Sequence, residues 1–235
     1  MKEIKKHIMA KEKKNEKEME QQAKVGQSIS AVDKFFNENG KTIWICVAVV
    51  AVIILGALAW HKFIVQPRQD EARAQMFPAE NSFRNQEWEL ALKGDGNVAG
   101  FEQIIEEYGS KAGESVYLYA GECELHLGNF ENALGWLKKY NGKDAILSAR
   151  ALSCEGDAYV GLEKYEDALS CYEKAAAKDD NTFAATYLKK AALVCEELGQ
   201  KDKALGFYQQ IKDKYPRSIE GYDIDKYISR IENAQ

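Results

Sequence analysis

The sequence is poor in the side chains on which most active sites depend. It contains three His, far apart at His7, His61 and His126, and none of its five Cys forms a CxxC pair. Metal binding and acid–base catalysis need such residues close together, so the sequence offers no candidate catalytic, metal-binding or cofactor-binding residue. We therefore expect a protein that is not an enzyme and that uses no cofactor.

Basic residues and proline are also scarce. After residue 65 the sequence has 21 basic and 30 acidic residues. Nucleic-acid binding requires a basic face that displaces counterions from phosphates, so this acidic region argues against nucleic acid as a partner. Proline occurs only three times, while Ala, Leu, Lys and Glu are abundant. This composition favours helices, and we expect an all-α fold.

Charged residues are absent from one long stretch, "IWICVAVVAVIILGALAW", between Ile43 and Trp60. As a helix it would rise about 27 Å, close to the roughly 30 Å hydrocarbon core of a bilayer. Trp44 and Trp60 mark its two ends, and indole rings favour the headgroup level. A buried core helix would keep a polar stripe, and a cleaved export signal would not follow a flank of 42 residues. We predict a single transmembrane helix, an uncleaved signal anchor, over residues 43–65.

The flank before this span, residues 1–42, contains ten Lys. Basic flanks stay in the cytoplasm, whereas a long following region can be translocated largely regardless of its charge. We expect a cytoplasmic lysine-rich flank and an extracytoplasmic domain over residues 66–235. In a bacterium this is a single-pass inner-membrane protein with a periplasmic domain. Within the flank, Ile29, Val32 and Phe35 recur at helical spacing, which fits a short amphipathic helix at the membrane interface or a plain linker helix.

Three segments of the region after the span align without gaps. They are "GNFENALGWLKKY" (128–140), "EKYEDALSCYEKA" (163–175) and "GQKDKALGFYQQI" (199–211), at spacings of 35 and 36 residues. In each, a small residue allows two helices to approach, and a Leu or aromatic residue four positions later fills the groove beside it. These pairs are Ala133 with Leu137, Ala168 with Tyr172, and Ala204 with Tyr208. The spacing is close to the roughly 34-residue tetratricopeptide unit and predicts a tetratricopeptide-type α-solenoid.

Two further segments complete the predicted stack. "FEQIIEEYGS" aligns with "YQQIKDKYPR", and its partner helix is expected from about Asp70 to Leu92, with Pro78 as the point where it bends or breaks. The linking stretch "GDGNVAG" lacks GxGxxG spacing and a preceding strand, so it predicts a turn rather than a phosphate-binding loop. The final segment, "IEGYDIDKYISRIENA", has Ile and Tyr at helical spacing and predicts a C-terminal capping helix.

In such a stack the first helix of each pair lines a concave groove. The residues on the face of these helices opposite the packing positions are Leu118, Glu122, Leu125, Ser153, Asp157, Lys189 and Leu193. Their mixture of Leu and charged side chains suits an extended or helical peptide, and we treat them as a candidate protein-binding groove. The alternative is an ordinary solvated helix face.

Four Cys fall on the predicted helices of this region: Cys123, Cys154, Cys171 and Cys195. Scattered Cys of this kind serve as small packing residues. An even number outside the cytoplasm also permits disulfides, and spacing alone does not give the geometry that decides between the two.

Taken together, the lysine-rich start, the spanning helix and the elements "GFEQIIEEYG", "YAGECELHLGNFENAL", "GDAYVGLEKYEDALSCYEKA" and "YLKKAALVCEELGQKDKALGFYQQIKDKYP" resemble the YfgM-type ancillary subunits of the Sec translocon. The resemblance implies a non-enzymatic scaffold that associates with the SecYEG channel, periplasmic chaperones and emerging client polypeptides. A different scaffold role, as a membrane-tethered assembly factor of another envelope complex or signalling pathway, remains the alternative, because tetratricopeptide elements serve many partners.

Overall fold

A computed structural model of the protein describes residues 39–178 and 181–233. These residues are almost entirely helical, and they contain no β-strand beyond an isolated bridge between Gly94 and Ala99. The chain divides into two compact units, Met1–Ile64 and Val65–Gln235. The predicted amphipathic stretch around Ile29 lies outside the described residues.

In the first unit, residues 39–60 are helical throughout and are called α1. They lie within a helical run, Asn39–Arg84, that is long and apolar enough to cross a membrane. None of the apolar window in this run is buried. The two Trp predicted to mark the ends are exposed, Trp44 at 74% and Trp60 at 62%. The apolar window is therefore not part of a core within the described part of the chain, whereas Ala72, Met76 and Ala79, further along the same run, are buried.

The second unit is a series of helices joined by short turns. A π-helical segment, His61–Val65, precedes α2, and only its last residue belongs to this unit. A 3₁₀ turn, Gly109–Ala112, follows α4. The helices are α2 (Gln66–Arg84), α3 (Trp88–Lys93), α4 (Phe101–Tyr108), α5 (Ser115–His126), α6 (Phe130–Leu137), α7 (Ala145–Gly161), α8 (Tyr165–Lys178), α9 (Phe183–Glu197), α10 (Lys201–Lys214), α11 (Ile219–Tyr222) and α12 (Ile224–Glu232).

Helices α5 to α10 form three antiparallel pairs, as the repeat predicts. The small residues at the start of each second helix, Ala133, Ala168 and Ala204, are completely buried. The large residues that follow them pack onto small positions of the first helix: a Cβ at Gly121 would lie 2.5 Å from Leu137 Cγ. The predicted helical repeat region is therefore confirmed, and its core is built from small residues facing large ones.

The N-terminal part of this unit differs from prediction in one respect. Pro78 lies inside α2 and does not interrupt it. The expected partner helix instead breaks between Arg84 and Trp88, where Gln86 adopts a φ of 64°. Since a single positive-φ residue redirects the chain, α2 and α3 are separate helices, and neither runs the full length expected.

The glycine-rich stretch after α3 is a turn, as predicted. Gly94 and Gly96 have φ values of 75° and 87°, which favour glycine. Asp95 Oδ1 accepts hydrogen bonds from the backbone N–H groups of Asn97 and Val98, each at 2.9 Å. This side-chain turn closes the loop on itself.

The C-terminal helix α12 covers the end of the last pair. Ile224, Ile228 and Ile231 are buried in the same core cluster as Tyr208 and Ile211 of α10. The predicted capping helix is therefore confirmed. The four Cys of this unit, Cys123, Cys154, Cys171 and Cys195, are buried and unpaired, so they are packing residues here and not disulfide partners.

Candidate functional site

A cleft of about 500 Å³ opens between the first helices of the three pairs. Helices α5, α7 and α9 supply most of its lining because each presents one face at intervals of three or four residues. The lining residues are Glu122, Leu125, His126, Phe130, Arg150, Ser153, Cys154, Asp157, Phe183, Thr186, Tyr187 and Lys190.

The apolar part of the cleft includes an exposed aromatic residue. Phe183, at the start of α9, is 54% exposed although it lines the cleft. At the other end, the ring of His126 stacks on Trp88 with the ring centroids 3.9 Å apart. Trp88 in turn packs edge-on against Phe83. Exposed apolar surface within a concavity is typical of a binding site for another molecule.

One ion pair joins α5 to α7 at the floor of the cleft. Glu122 is 5% exposed, so its carboxylate requires a partner. Arg150 Nη2 donates a hydrogen bond of 2.6 Å to Glu122 Oε2, and Arg150 Nε lies 2.6 Å from Oε1. Cys154 Sγ lies 3.7 Å from the same carboxylate. The two-pronged geometry fixes the plane of the guanidinium group.

A second ion pair joins α7 to α9. Lys190 Nζ donates to both carboxylate oxygens of Asp157, at 2.8 and 2.7 Å, and lies 3.2 Å from Ser153 Oγ. Tyr172 of α8 donates its hydroxyl hydrogen to Asp157 Oδ1 at 2.7 Å. Asp157 therefore connects three helices through one carboxylate.

Burial raises the pKa of two groups at or beside the cleft, Cys154 and Tyr172. Burial raises the pKa of Cys154 well above its usual value, and the carboxylates of Glu122 and Asp157 raise it further. Because the thiolate is the reactive form, this thiol is a poor nucleophile. Burial, and then the negative charge of Asp157, also raises the pKa of Tyr172. In the described part of the chain, no group of His, Cys, Asp or Glu is placed to hold a metal ion.

The structure brings four of the seven predicted groove residues together: Glu122, Leu125, Ser153 and Asp157 line the cleft. Leu118 does not, and its placement on an open face is wrong. It is 1% exposed in a cluster with residues of α6 and α7. Leu118 lies one turn before Glu122 on α5, but α6 and α7 cover it at this turn.

The other two predicted residues lie outside the cleft. The Nζ atom of Lys189 is 4.7 Å from the centre of the Tyr227 ring on α12, and Leu193 is 40% exposed elsewhere on α9. On this helix the cleft is lined instead by Phe183, Thr186, Tyr187 and Lys190. The sequence therefore predicted the wrong face of α9. Successive residues of a helix point in directions about 100° apart, so an error of one position moves a side chain to another face.

Sequence reasoning missed Arg150 and Lys190, the cationic partners in the cleft. Arg150 comes 28 residues after Glu122, and Lys190 comes 33 residues after Asp157. Neither separation equals the repeat spacing of 35 or 36 residues, so the periodicity of the sequence does not point to these two cations.

These features agree with a helical repeat that binds other proteins, and the comparisons with known proteins point the same way. Residues 155–219 match the tetratricopeptide repeat family. This range covers the second half of α7 through the first residue of α11. No curated protein sequence matches the chain. Tetratricopeptide regions stack helix pairs into concave surfaces that mediate protein–protein interactions.

One solved structure shows the same fold over most of its length. The chain is similar to a protein described as "Crystal structure of MamA protein", with 20% identity, a TM-score of 0.54, and coverage of 70% of this chain and 84% of that one. A second structure, "Crystal structure of MamA", has 24% identity and a TM-score of 0.42, and covers 57% of this chain and 87% of that one.

Proposed function

We propose that the protein is a non-enzymatic scaffold, held at a membrane by the apolar helix over residues 43–65, whose repeat domain binds other polypeptides in the cleft. The observation that carries this proposal is the cleft itself. It lies on a tetratricopeptide-type repeat and keeps the aromatic side chain of Phe183 exposed. A membrane anchor would confine the domain to a thin layer and so raise its effective concentration toward partners in the same membrane.

The finer features of the proposal rest on the sequence. The ten Lys of residues 1–42 support a cytoplasmic N-terminus, with residues 66–235 in the periplasm of a bacterium. The resemblance to YfgM-type subunits supports the SecYEG translocon, periplasmic chaperones and client polypeptides as partners. Trp44 and Trp60 would lie at the two headgroup layers.

Site-specific photo-crosslinking in intact membranes tests this function. A photoreactive amino acid would replace Phe183 in the cleft and, as a matched control, Ile219, which is 85% exposed and does not line the cleft. We expect crosslinks from position 183 to SecY or to membrane-anchored chaperones, and weaker or different crosslinks from position 219. Consistent recovery of another envelope complex from position 183 would instead support an assembly factor.

A protease-accessibility assay tests the orientation. Protease added to spheroplasts should cleave within residues 66–235. Full protection of this region until the cells are lysed would contradict a periplasmic domain.

A further inference from the structure

We infer that the cleft takes an uncharged, extended polypeptide segment, with an apolar side chain against Phe183 and a main-chain carbonyl oxygen that accepts a hydrogen bond from Arg150. This inference rests on the proposed function, because it specifies what the protein-binding cleft recognises.

The first step concerns charge. The cleft contains two carboxylates and two cationic side chains, and each carboxylate has its own partner: Arg150 lies 2.6 Å from Glu122, and Lys190 lies 2.7 Å from Asp157. The charges therefore cancel within the protein. A charged ligand group that entered the cleft would lose water without gaining an unpaired counter-ion, which is unfavourable. This balance favours an uncharged occupant.

The second step concerns hydrogen bonds. Both oxygens of Asp157 and both oxygens of Glu122 already face cationic donors. Arg150 still has donors available: its side chain is 49% exposed, and no described residue accepts from Nη1. A guanidinium group has five N–H donors and no acceptor. The occupant should consequently offer acceptors, and an extended polypeptide provides carbonyl oxygens at regular intervals.

The third step concerns pre-organisation. The two contacts from Glu122 hold the guanidinium plane of Arg150 before any ligand arrives. A donor that is already fixed loses less conformational entropy on binding. The fixed fork of Arg150 is therefore suited to a main-chain carbonyl of defined position.

The fourth step concerns size. The cleft volume of about 500 Å³ lies within the usual range of binding clefts, roughly 300–1,000 Å³. Directly packed helices lie about 10 Å apart, so the path from α5 past α7 to α9 is at least roughly 20 Å long. An extended chain rises about 3.3 Å per residue, so about six residues or more fill this path. Apolar side chains on one face of such a segment would meet Leu125 and Phe183.

Peptide binding to the full chain in lipid nanodiscs tests this inference. The probe is an eight-residue peptide that alternates phenylalanine and serine, acetylated and amidated so that its ends are uncharged, and labelled with an uncharged dye. Binding is followed by fluorescence anisotropy. The decisive variant is Arg150→Lys, which keeps a cation beside Glu122 but removes the planar fork that fixes the direction of the spare donors. The matched control is Arg230→Lys, because Arg230 also forms a close ion pair outside the cleft, with its Nη2 atom 2.6 and 2.7 Å from the two carboxylate oxygens of Glu196.

We expect Arg150→Lys to weaken binding of the probe about tenfold, and Arg230→Lys to change it by less than about twofold. Circular dichroism should show that both variants remain helical. A peptide with aspartate in place of serine should bind more weakly than the probe.

Three results would overturn the inference: no binding of the probe to the unmodified chain, equal effects of the two Arg variants, or tighter binding of the aspartate peptide. The last result would identify an anion site. If crosslinking from position 183 recovers partners while one of these results is obtained, the scaffold function stands and only the nature of the occupant is wrong.

Discussion

The ring of Tyr172 lies directly against Gly156, so that a Cβ atom at position 156 would be 2.5 Å from Tyr172 Cε1 and 2.8 Å from Cδ1. This contact brings α8 close to α7 at a position that has no side chain. The same hydroxyl-bearing ring reaches past Gly156 to donate a hydrogen bond to Asp157 at the cleft. Tyr172 therefore contributes both to the packing of α8 on α7 and to the position of Asp157 at the cleft.

Gly156→Ala should destabilise the repeat domain by about 1–2 kcal/mol, because overpacking costs about 1–3 kcal/mol and the better helix propensity of Ala recovers less than about 1 kcal/mol. The free energy of unfolding from urea titration measures this. The matched control is Gly206→Ala in α10, where the added Cβ would have no atom within 4 Å apart from its chain neighbours and the backbone of its own helix turn. This control should stabilise the protein by about 0.5–1 kcal/mol. Equal changes in the free energy of unfolding for the two variants would contradict the close packing of Tyr172 on Gly156.

Glu122 and Arg150 form the ion pair at the floor of the cleft, and replacing one or the other should lower the free energy of unfolding by different amounts. Arg150→Ala leaves the carboxylate of Glu122, whose side chain is 7% exposed, without a cation, and should cost about 2–3 kcal/mol. Glu122→Gln leaves Arg150 without its anion, but the guanidinium group is half-exposed and water can solvate it. We expect Glu122→Gln to cost less, and unfolding by urea compares the two variants. A larger loss of unfolding free energy from Glu122→Gln than from Arg150→Ala would contradict the view that the unpaired, buried carboxylate is the more costly group.

Much of the helical repeat could be predicted because its signals are local or strictly periodic. Ala133, Ala168 and Ala204 recur at nearly constant spacing, and all three are fully buried as that spacing implies. The apolar run from Ile43 to Trp60 is likewise visible in composition alone. These features depend on residue type and spacing, which a single sequence contains in full.

The cleft was only partly predictable because it depends on the angle at which helices pack. Leu118 and Glu122 share a face of α5, yet only Glu122 reaches the cleft, since α6 and α7 cover Leu118. On α9, Lys190 faces Asp157 while its neighbour Lys189 faces Tyr227. Distinguishing these positions needs the rotation of each helix about its axis, and no pattern of residue types specifies that rotation to within a single residue.

The buried thiols should make the protein sensitive to alkaline pH. Burial first, and the nearby Glu122 second, raises the pKa of Cys123 to about 12, and burial followed by Glu155 raises the pKa of Cys171 to about 11. Folding therefore favours the protonated thiols. Their contribution to stability is complete below about pH 9, the ordinary pKa of a thiol, and is lost as the pH rises toward 11 to 12.

We expect the urea midpoint of unfolding to fall between pH 8 and about pH 10, a range that lies below the pKa of most lysines. The control is the double variant Cys123→Ala/Cys171→Ala, which is less stable at pH 8 but should lose less stability over the same range. Its pH dependence will not vanish, because burial also raises the pKa of the remaining thiols, Cys154 and Cys195, and of Tyr172 and Tyr208. An unchanged slope in the double variant would rule out Cys123 and Cys171 as a source of alkaline sensitivity.

The capping helix offers a test that compares two Ile only five residues apart. Ile224 of α12 is 2% exposed in the core that includes Tyr208 and Ile211, whereas Ile219 of α11 is 85% exposed. Ile224→Ala removes buried methyl and methylene groups and leaves a cavity, so it should reduce the free energy of unfolding by about 2–4 kcal/mol. Ile219→Ala should change it by less than about 0.5 kcal/mol.

Because an open helical stack exposes the apolar face of its last pair, loss of the cap should also increase protease cleavage within α10, which mass spectrometry of the fragments would locate. Equal stability of the two variants would mean that α12 does not seal the end of the repeat.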